Sequence, residues 1–575
     1  MIQEFLSAII RRKNIHNEEP NRLARVMKLM DLVALGVGSA LGLGLYVLAG
    51  SLAKSTSGPA TNLAFILAAL ISLLSGLCYA EVAARVRRTG YVYVYTYVAI
   101  GELAAFIVGW NLIIGCMFGA ASAASAISKH IDSMLDKKVE KTFAEWMPIN
   151  VRFLATYPDF LSMGIIIFFT VLLSTGMKSS KNFNNICTSL NLITMLTAVV
   201  ACLTKVDINN WKISVNDIDE THRKHAGNGG FLPFGMAGVI AATPNCFFGY
   251  TGFESSSNAS EEAKNPKRDI PIAIMISLLI TLMSYFTIST VITLVWPYYL
   301  QDEHAAFPHV FEELGWTGVK WVITVGSTCA LSTTMFGSMY TMPRVIYAMA
   351  NDGLIFKSLS KVNSVTKTPL IATICSGAVA GVITTFIDLA QLVDFSTIES
   401  LLSYTIVPVS VLVLRYKATD DIKLEVSAEE SIIPKSNIIQ KLFNLNNQTA
   451  STKETSHIAN CAILLYVLTA FFFTWILVHG VSVLPEVMYY ICLSSTIIGL
   501  LLLIIIMLRQ PESNATLHFK VPCSPFIPCA SVTCNIYLMM QLNLFTWIGF
   551  VSWLVIGSLV YFAYGMRHSE ENLDK

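Results

Sequence analysis

Long apolar runs alternate with short polar breaks along most of the chain. About 14 of these runs approach the roughly 20 residues that a helix needs to cross the hydrocarbon core of a bilayer. We number them spans 1 to 14, and they lie near residues 32–53, 59–84, 98–128, 159–176, 183–204, 234–260, 270–297, 318–349, 368–388, 390–415, 458–480, 486–508, 522–541 and 545–565. The pattern predicts an all-α membrane protein with about 14 transmembrane helices.

The distribution of Lys and Arg predicts how these spans are oriented, because cytoplasmic loops carry an excess of positive charge. The tail before span 1 is basic, and basic residues recur in every second loop, as at Arg85, Lys181 and Lys264. The short alternate loops at 387–391 and 480–486 contain no Lys or Arg. We therefore expect both termini to be cytoplasmic.

A polar, Asn-rich segment separates the first ten spans from the last four. We expect the following organisation: a cytoplasmic N-terminal tail (1–31), a ten-helix core (32–416), a cytoplasmic linker loop (417–457), four additional transmembrane helices (458–566) and a cytoplasmic C-terminal tail (567–575).

The composition supports a membrane protein and excludes several other classes. Apolar residues make up 54% of the 575 positions and charged residues 13%, and the mean hydropathy is +0.59. The net charge of +1 gives no reason to expect a nucleic-acid partner. No nucleotide-binding loop, metalloprotease motif or nucleophile constellation is present, so we expect no enzyme activity, cofactor or metal. Membrane lipid is an expected partner, and the sequence identifies no protein partner.

Span 1 is unusually rich in glycine for a membrane helix. The stretch VALGVGSALGLGLYVLAG, residues 33–50, contains five glycines with Ser39 near its centre. Each glycine costs roughly 1 kcal/mol relative to alanine inside a helix. Two interpretations are open: Gly38 and Gly42 form a GxxxG motif for close helix packing, or the helix breaks at a binding site.

Span 6 contains a similar interruption, which favours the second interpretation. In TPNCFFGYTGFESSS, residues 243–257, Pro244, Gly249 and Gly252 interrupt an apolar run that also holds Glu254. Spans 1 and 6 are five apart, so two five-helix halves would have opposite topology. Glycine-interrupted segments at matching places in two halves indicate a transporter binding site.

The two breaks together predict a receptor for an α-amino acid. Unwinding of span 1 at 38–42 would point backbone N–H groups and a positive helix dipole toward the membrane centre, which suits a carboxylate. Unwinding of span 6 at 248–252 would expose carbonyl groups, which suit an ammonium group. The predicted substrate-binding residues are Gly38, Ser39, Ala40, Leu41, Gly42, Phe248, Gly249, Tyr250, Thr251, Gly252 and Glu254.

Several blocks of sequence resemble the cationic amino acid transporters of the amino acid–polyamine–organocation superfamily. They include the span 1 stretch, VGWNLI (108–113), GFLPFG (230–235), CFFGYTGFE (246–254), EEAKNPKRDIP (261–271) and GSMYTMPRVIYAMANDGLIF (337–356). The resemblance implies a LeuT-type core of five plus five inverted helices with four extra helices. It also implies that backbone amides around Ser39–Gly42 hold the substrate carboxylate, and that carbonyls of Phe248, Gly249 and Thr251 hold the amine.

The resemblance also singles out residues for selectivity or coupling. Glu102 matches a family glutamate associated with transport, and it would either attract cations or form an ion pair with basic inner segments. Asn191 stands where some proton-coupled relatives have a lysine, which implies uncoupled, facilitated transport. Ser332 and Thr333, with Thr334, would line the side-chain pocket or form hydrogen bonds between helices. YVYVYTY (91–97) is expected to be an aromatic belt at the membrane interface.

The sequence also departs from the family pattern. Ala40 replaces a usual Thr, Gly115 and Cys116 replace a usual Ser-Tyr pair, and Ser125 stands where an Arg follows them. Glu399 stands where Gly is common, and it is either interfacial, near the start of span 10, or part of the site. These departures lie in or near the expected side-chain pocket. We expect a sodium-independent carrier for Arg, Lys or ornithine that works by alternating access in the plasma membrane. The alternatives are a neutral- or histidine-preferring carrier and an amino acid sensor without significant flux.

Overall fold

The computed structural model is almost entirely helical, as the apolar pattern predicts. It describes residues 11–13, 25–42, 44–85, 91–135, 137–149, 151, 154–215, 218–219, 223, 226–260, 262–302, 306–418, 438–445, 448, 450–513, 517 and 519–571. Within these ranges β-type pairing is limited to two isolated bridges, Met27 with Ala263 and Leu154 with Ile387. More than half of the predicted linker loop (417–457), most of the N-terminal tail and residues 572–575 of the C-terminal tail lie outside the described residues.

Each predicted span overlaps helical structure. Spans 1 to 5 contain Leu29–Ala40 followed by Gly44–Leu48, Ala49–Leu52 and Ala53–Ser57 (span 1), Thr61–Arg85, Glu102–Met134, Phe160–Ser174 and Met177–Leu203. Spans 6 to 10 contain Gly235–Phe248 and Ser255–Asn258 (span 6), Pro266–Val295, Thr317–Asn351, Leu370–Phe386 and Leu389–Arg415. Spans 11 to 14 contain Lys453–Val483, Glu486–Arg509, Phe526–Met540 and Leu544–Val560 followed by Tyr561–Gly565.

Length and apolar composition separate these helices into two groups. In the described part of the chain, 9 helices are long and apolar enough to cross a membrane, with Ala49–Arg85 taken as one. Shorter apolar helices occur in spans 1, 4, 6, 9 and 13. Two of the shorter ones, in spans 1 and 6, end at the glycine-rich segments, so these spans are built from two pieces.

Span 1 lies at the centre of the helix packing. Its first helix, Leu29–Ala40, packs against spans 5, 7 and 8, and nine of its residues are buried. Spans 2 and 7 pack along each other, as do spans 3 and 8 and spans 3 and 10. Spans 11 and 12 lie outside this core and expose large apolar side chains such as Leu464, Phe472 and Ile498. An apolar exterior of this kind suits contact with lipid.

The segment YVYVYTY differs from its prediction as an interfacial belt. It forms a helix, Tyr91–Ala99, that packs against spans 3 and 10 and completely buries Tyr93, Tyr95 and Tyr97. The helix is enclosed on several sides and therefore needs no polar face.

A buried ion cluster joins span 2, span 10 and the segment before span 13. Glu81 is fully buried and accepts hydrogen bonds from Arg415 Nη2 (2.6 Å), Arg85 Nη2 (2.9 Å) and the backbone N–H of Val521 (2.7 Å). Arg415 Nη2 also donates to the carbonyl oxygen of Val521 at 2.8 Å. These charge-assisted bonds attach the segment before span 13 to spans 2 and 10 of the core.

Replacing Glu81 with glutamine should destabilise the fold, because the buried Arg415 and the half-buried Arg85 would lose this carboxylate, which leaves Arg415 only the more distant Glu512 at 3.5 Å. We expect Glu81→Gln to lower the free energy of unfolding by about 3 kcal/mol, measured by thermal unfolding of the purified protein in detergent. The control is Glu454→Gln, which removes an exposed pair with Lys441 (3.2 Å) and should change stability by less than about 0.5 kcal/mol. Equal melting temperatures for the two variants would contradict the assigned role of the cluster.

Candidate substrate-binding site

Span 1 is interrupted, three residues later than the sequence predicts. The first helix continues through Gly38 and Ser39 and ends at Ala40, and the chain resumes as a π-helical turn at Gly44. At Leu41 the backbone makes an inverse γ-turn (φ −83°, ψ 69°), in which the N–H of Gly42 donates to the carbonyl of Ala40 at 3.0 Å. The interruption therefore begins at Leu41, and the predicted start at Gly38 was too early.

Polar side chains from three other spans hold the carbonyl groups at this interruption. Asn191 Nδ2 on span 5 donates to the carbonyl of Leu41 at 2.8 Å, and Thr333 Oγ1 on span 8 donates to that of Gly38 at 2.9 Å. The hydroxyl of Tyr285 on span 7 donates to the carbonyl of Ala40 at 3.0 Å. Carbonyls at a helix end need partners, and these side chains supply them where the surroundings are apolar. They explain why the helix ends at Ala40.

Span 6 is interrupted where the sequence predicts. Its first helix ends at Phe248, and a short helix begins at Ser255. Gly252 has φ +117°, a conformation that favours glycine, and its N–H donates to Glu254 Oε2 at 2.8 Å. The hydroxyl of Tyr404 on span 10 donates to the same carboxylate oxygen at 2.5 Å. Glu254 thus stabilises the interruption from within.

The two interruptions are in direct contact. A Cβ atom at Gly252 would lie 2.7 Å from the carbonyl carbon of Ser39, and one at Gly44 would lie 2.7 Å from the Cα of Gly249. The single hydroxyl hydrogen of Tyr285 is shared between the carbonyls of Ala40 and Gly249, each 3.0 Å away. Glycine is required on both sides because any larger residue would separate the two segments.

A cavity of about 70 Å³ lies beside these interruptions, between spans 1, 2, 3, 6, 8 and 10. Five residues of the predicted site line it: Ser39, Phe248, Thr251, Gly252 and Glu254. The other six predicted residues, Gly38, Ala40, Leu41, Gly42, Gly249 and Tyr250, do not. In the described chain, no cluster of three or more His, Cys, Asp or Glu could hold a metal ion.

The residues outside the cavity have packing contacts instead. The hydroxyl of Tyr250 donates to the carbonyl of Phe65 on span 2 at 3.0 Å. Gly42 packs against span 8, where an added Cβ would overlap Thr334 Oγ1 and lie 3.2 Å from the carbonyl of Ala330. A Cβ at Gly38 would overlap Thr188 Oγ1 on span 5. The GxxxG interpretation therefore also applies: these glycines permit close packing while the helix next to them ends.

Glu102 lies away from the cavity, at the first residue of the span 3 helix. The predicted start of span 3 was too early, because Tyr91–Ala99 forms a separate helix and Gly101 (φ 150°) separates the two. The carboxylate of Glu102 is fully buried. It accepts hydrogen bonds from the hydroxyls of Tyr97 (2.7 Å), Tyr561 (3.0 Å) and Ser569 (2.7 Å), and forms an ion pair with Arg11 (3.4 Å). Of the two interpretations, the ion pair with a basic tail matches this arrangement.

The remaining predicted residues are divided between different surroundings. Asn191 braces the span 1 interruption, and its Oδ1 accepts a hydrogen bond from the hydroxyl of Tyr46 at 2.8 Å. Ser332 faces a separate, largely apolar cavity of about 310 Å³ beside span 4 and does not line the cavity at the interruptions. Thr334 lines the site cavity. Neighbouring residues on a helix point about 100° apart. Ser332, Thr333 and Thr334 therefore face three different surroundings: the cavity beside span 4, the carbonyl of Gly38 and the site cavity.

Three residues that depart from the family pattern, and that were expected in or near the side-chain pocket, line the cavity: Gly115, Cys116 and Glu399. Glu399 is 6% exposed and lies ten residues into the span 10 helix, roughly 15 Å from its start. Of the two interpretations of Glu399, the interfacial one does not match this depth and burial. A Cβ at Gly115 would overlap the Glu399 carboxylate. Both residues depart from the family pattern, and that joint departure was the available signal.

Comparison with known proteins agrees with this architecture. A family model described as amino acid permease matches residues 27–493, and one described as the C-terminus of AA_permease matches residues 519–569. The chain is 35% identical to cationic amino acid transporter 4 of Homo sapiens over 577 residues, covering 96% of this chain and 88% of that protein. It is 31% identical to a vacuolar cationic amino acid transporter 4 of Arabidopsis thaliana, covering 98% of this chain and 96% of that protein. The chain therefore belongs to the cationic amino acid transporter family of the amino acid–polyamine–organocation superfamily, a family of permeases and not of enzymes.

Proposed function

We propose that this protein is a sodium-independent, facilitative carrier of cationic amino acids such as arginine, lysine and ornithine. The observation that carries the proposal is the pair of interrupted spans, 1 and 6, which meet beside one polar cavity. The names of its relatives support amino acids as the substrate class. We further propose the LeuT-type inverted repeat, with both termini in the cytoplasm.

The span 1 interruption would bind the substrate carboxylate. The N–H of Gly42 lies outside the cavity and is held in the γ-turn by the carbonyl of Ala40, so carboxylate binding there would require the turn to open toward the cavity. A carboxylate is a stronger acceptor than a carbonyl and would be favoured there by the dipole of the following half-helix. The ammonium group would bind at Phe248 and Thr251, which line the cavity on span 6. Occupation of both interruptions by one molecule would couple their movement, as alternating access requires.

Membrane voltage would supply the driving force. A substrate of charge +1 gains about 2.3 kcal/mol per 100 mV when it crosses toward the negative side. The side-chain amide of Asn191 carries no charge and is engaged on both sides, by Leu41 and Tyr46. Because it replaces the lysine of some proton-coupled relatives, we propose that no ion is coupled to transport.

Ion replacement tests this proposal. Uptake of radiolabelled arginine into cells that express the protein should persist when choline replaces sodium, and depolarisation with potassium should slow it. A strict sodium requirement would contradict the proposal. Uptake of leucine or histidine in place of arginine would support the neutral- or histidine-preferring alternative. If none of these amino acids is transported although binding is intact, the result would support the alternative of an amino acid sensor without significant flux.

The contact between the two interruptions predicts a strong effect of a single methyl group. We expect Gly252→Ala to reduce arginine uptake at least about tenfold, because the added Cβ would strain the backbone and meet Ser39. Gly318→Ala is the matched control, since a Cβ there has no heavy atom within 4 Å. Surface labelling should show both variants in the membrane. Equal uptake by the two variants would show that spans 1 and 6 need not approach this closely.

Cys116 offers a chemical probe of the cavity. A small methanethiosulfonate reagent should inhibit arginine uptake, because Cys116 lines the cavity and is partly accessible. Excess arginine should slow the inhibition. For the wild type and for Cys116→Ser, uptake after treatment is compared with the uptake of the same untreated protein. The reagent should no longer inhibit uptake by Cys116→Ser. Inhibition that persists in Cys116→Ser would place the reactive thiol elsewhere, for example at the exposed Cys461 or Cys523.

A further inference from the structure

We propose that Glu399 binds the cationic end of the substrate side chain and sets the preference for cationic over neutral amino acids. This inference rests on the proposed function, because it gives a side-chain subsite to the same cavity. Glu399 lines that cavity from span 10, and its side chain is almost completely buried. A buried carboxylate within a membrane span is costly and usually serves a substrate or ion pathway.

The carboxylate of Glu399 has room because the facing residue has no side chain. Gly115 on span 3 lies against Glu399 so closely that a Cβ would overlap both the carboxyl group and the Cγ atom. The hydroxyl of Ser396, one turn away, donates to the carbonyl of Gly115 at 3.4 Å and keeps spans 3 and 10 together. Because Gly115 has no side chain, the carboxylate of Glu399 can form part of the cavity wall.

The two carboxylates of the cavity differ in how they are engaged. Glu254 Oε2 accepts two hydrogen bonds, from the N–H of Gly252 and the hydroxyl of Tyr404, and stabilises the span 6 interruption. Glu399 Oε1 accepts a hydrogen bond from the hydroxyl of Ser403 at 2.8 Å. Among the described residues, no Lys, Arg or His forms an ion pair with Glu399. An ionised carboxylate buried in this way is stabilised when a cation enters the cavity.

The position of Glu399 suits the far end of an amino acid. A substrate held by its α-groups at spans 1 and 6 would extend its side chain toward the opposite wall, formed by spans 3 and 10. That wall presents the small residues Gly115, Cys116 and Ser400 around Glu399. An ammonium or guanidinium group there would form an ion pair away from bulk water, whereas a neutral side chain would leave the carboxylate without a partner.

The test compares a charged amino acid with a neutral one of the same shape. Binding of arginine and of citrulline to the purified full-length protein is measured by ligand-induced thermal stabilisation at several concentrations. The wild type should bind arginine at least about tenfold more tightly than citrulline, and Glu399→Gln should reduce this ratio to about twofold or less. Citrulline affinity should be retained, which shows that the variant is folded and that its α-group site is intact.

Two further variants keep the outcome interpretable. Glu399→Asp should retain part of the preference, and it decides the question if Glu399→Gln does not fold. Glu312→Gln changes an exposed glutamate paired with Lys320 and should keep the wild-type ratio. A preference that survives in Glu399→Gln, or equal loss of arginine and citrulline binding in a folded variant, would overturn this inference alone. Failure of the wild type to bind either amino acid would instead overturn the proposed function.

Discussion

Every backbone polar group that leaves a helix inside the membrane must find a partner within the protein, and this constraint organises the centre of the molecule. The carbonyls at the end of the first helix, Gly38, Ala40 and Leu41, are held by Thr333, Tyr285 and Asn191. These three side chains come from spans 8, 7 and 5. The interrupted helix therefore depends on the packing around it, and its neighbours are positioned by the need to supply donors.

The same constraint brings the second interruption to the first. Tyr285 divides its hydroxyl hydrogen between the carbonyls of Ala40 and Gly249, so one residue on span 7 serves both segments. Glycines at 44 and 252 then allow backbone to meet backbone. Because the two segments rest on shared partners, a change in one would be felt by the other. A ligand that binds at both would act on a single connected unit, which is the physical basis we propose for alternating access.

The apolar pattern predicted where the helices lie, because the length of an apolar run reflects membrane thickness whatever the residues pack against. The span 6 interruption was also predictable, since Gly249 and Gly252 stand at the place where the helix ends. The exact end of the span 1 helix was not, because it is set by Asn191 and Tyr285, which are distant in sequence. The surroundings of Glu102, Ser332 and Glu399 stayed open between two interpretations for a related reason. The position of a residue along a span predicts its depth in the membrane. The direction in which its side chain points depends on how the neighbouring helices pack, which the sequence of one span does not contain.

The most direct test of the account is a structure of the protein in lipid nanodiscs with bound arginine, determined by electron cryomicroscopy. The account predicts that the α-carboxylate lies at the backbone of the span 1 interruption beside Gly42 and that the α-ammonium lies at Phe248 and Thr251. The guanidinium group should face Glu399. Arginine bound away from both interruptions, or a span 1 helix that continues unbroken past Leu41 when arginine is bound, would contradict it.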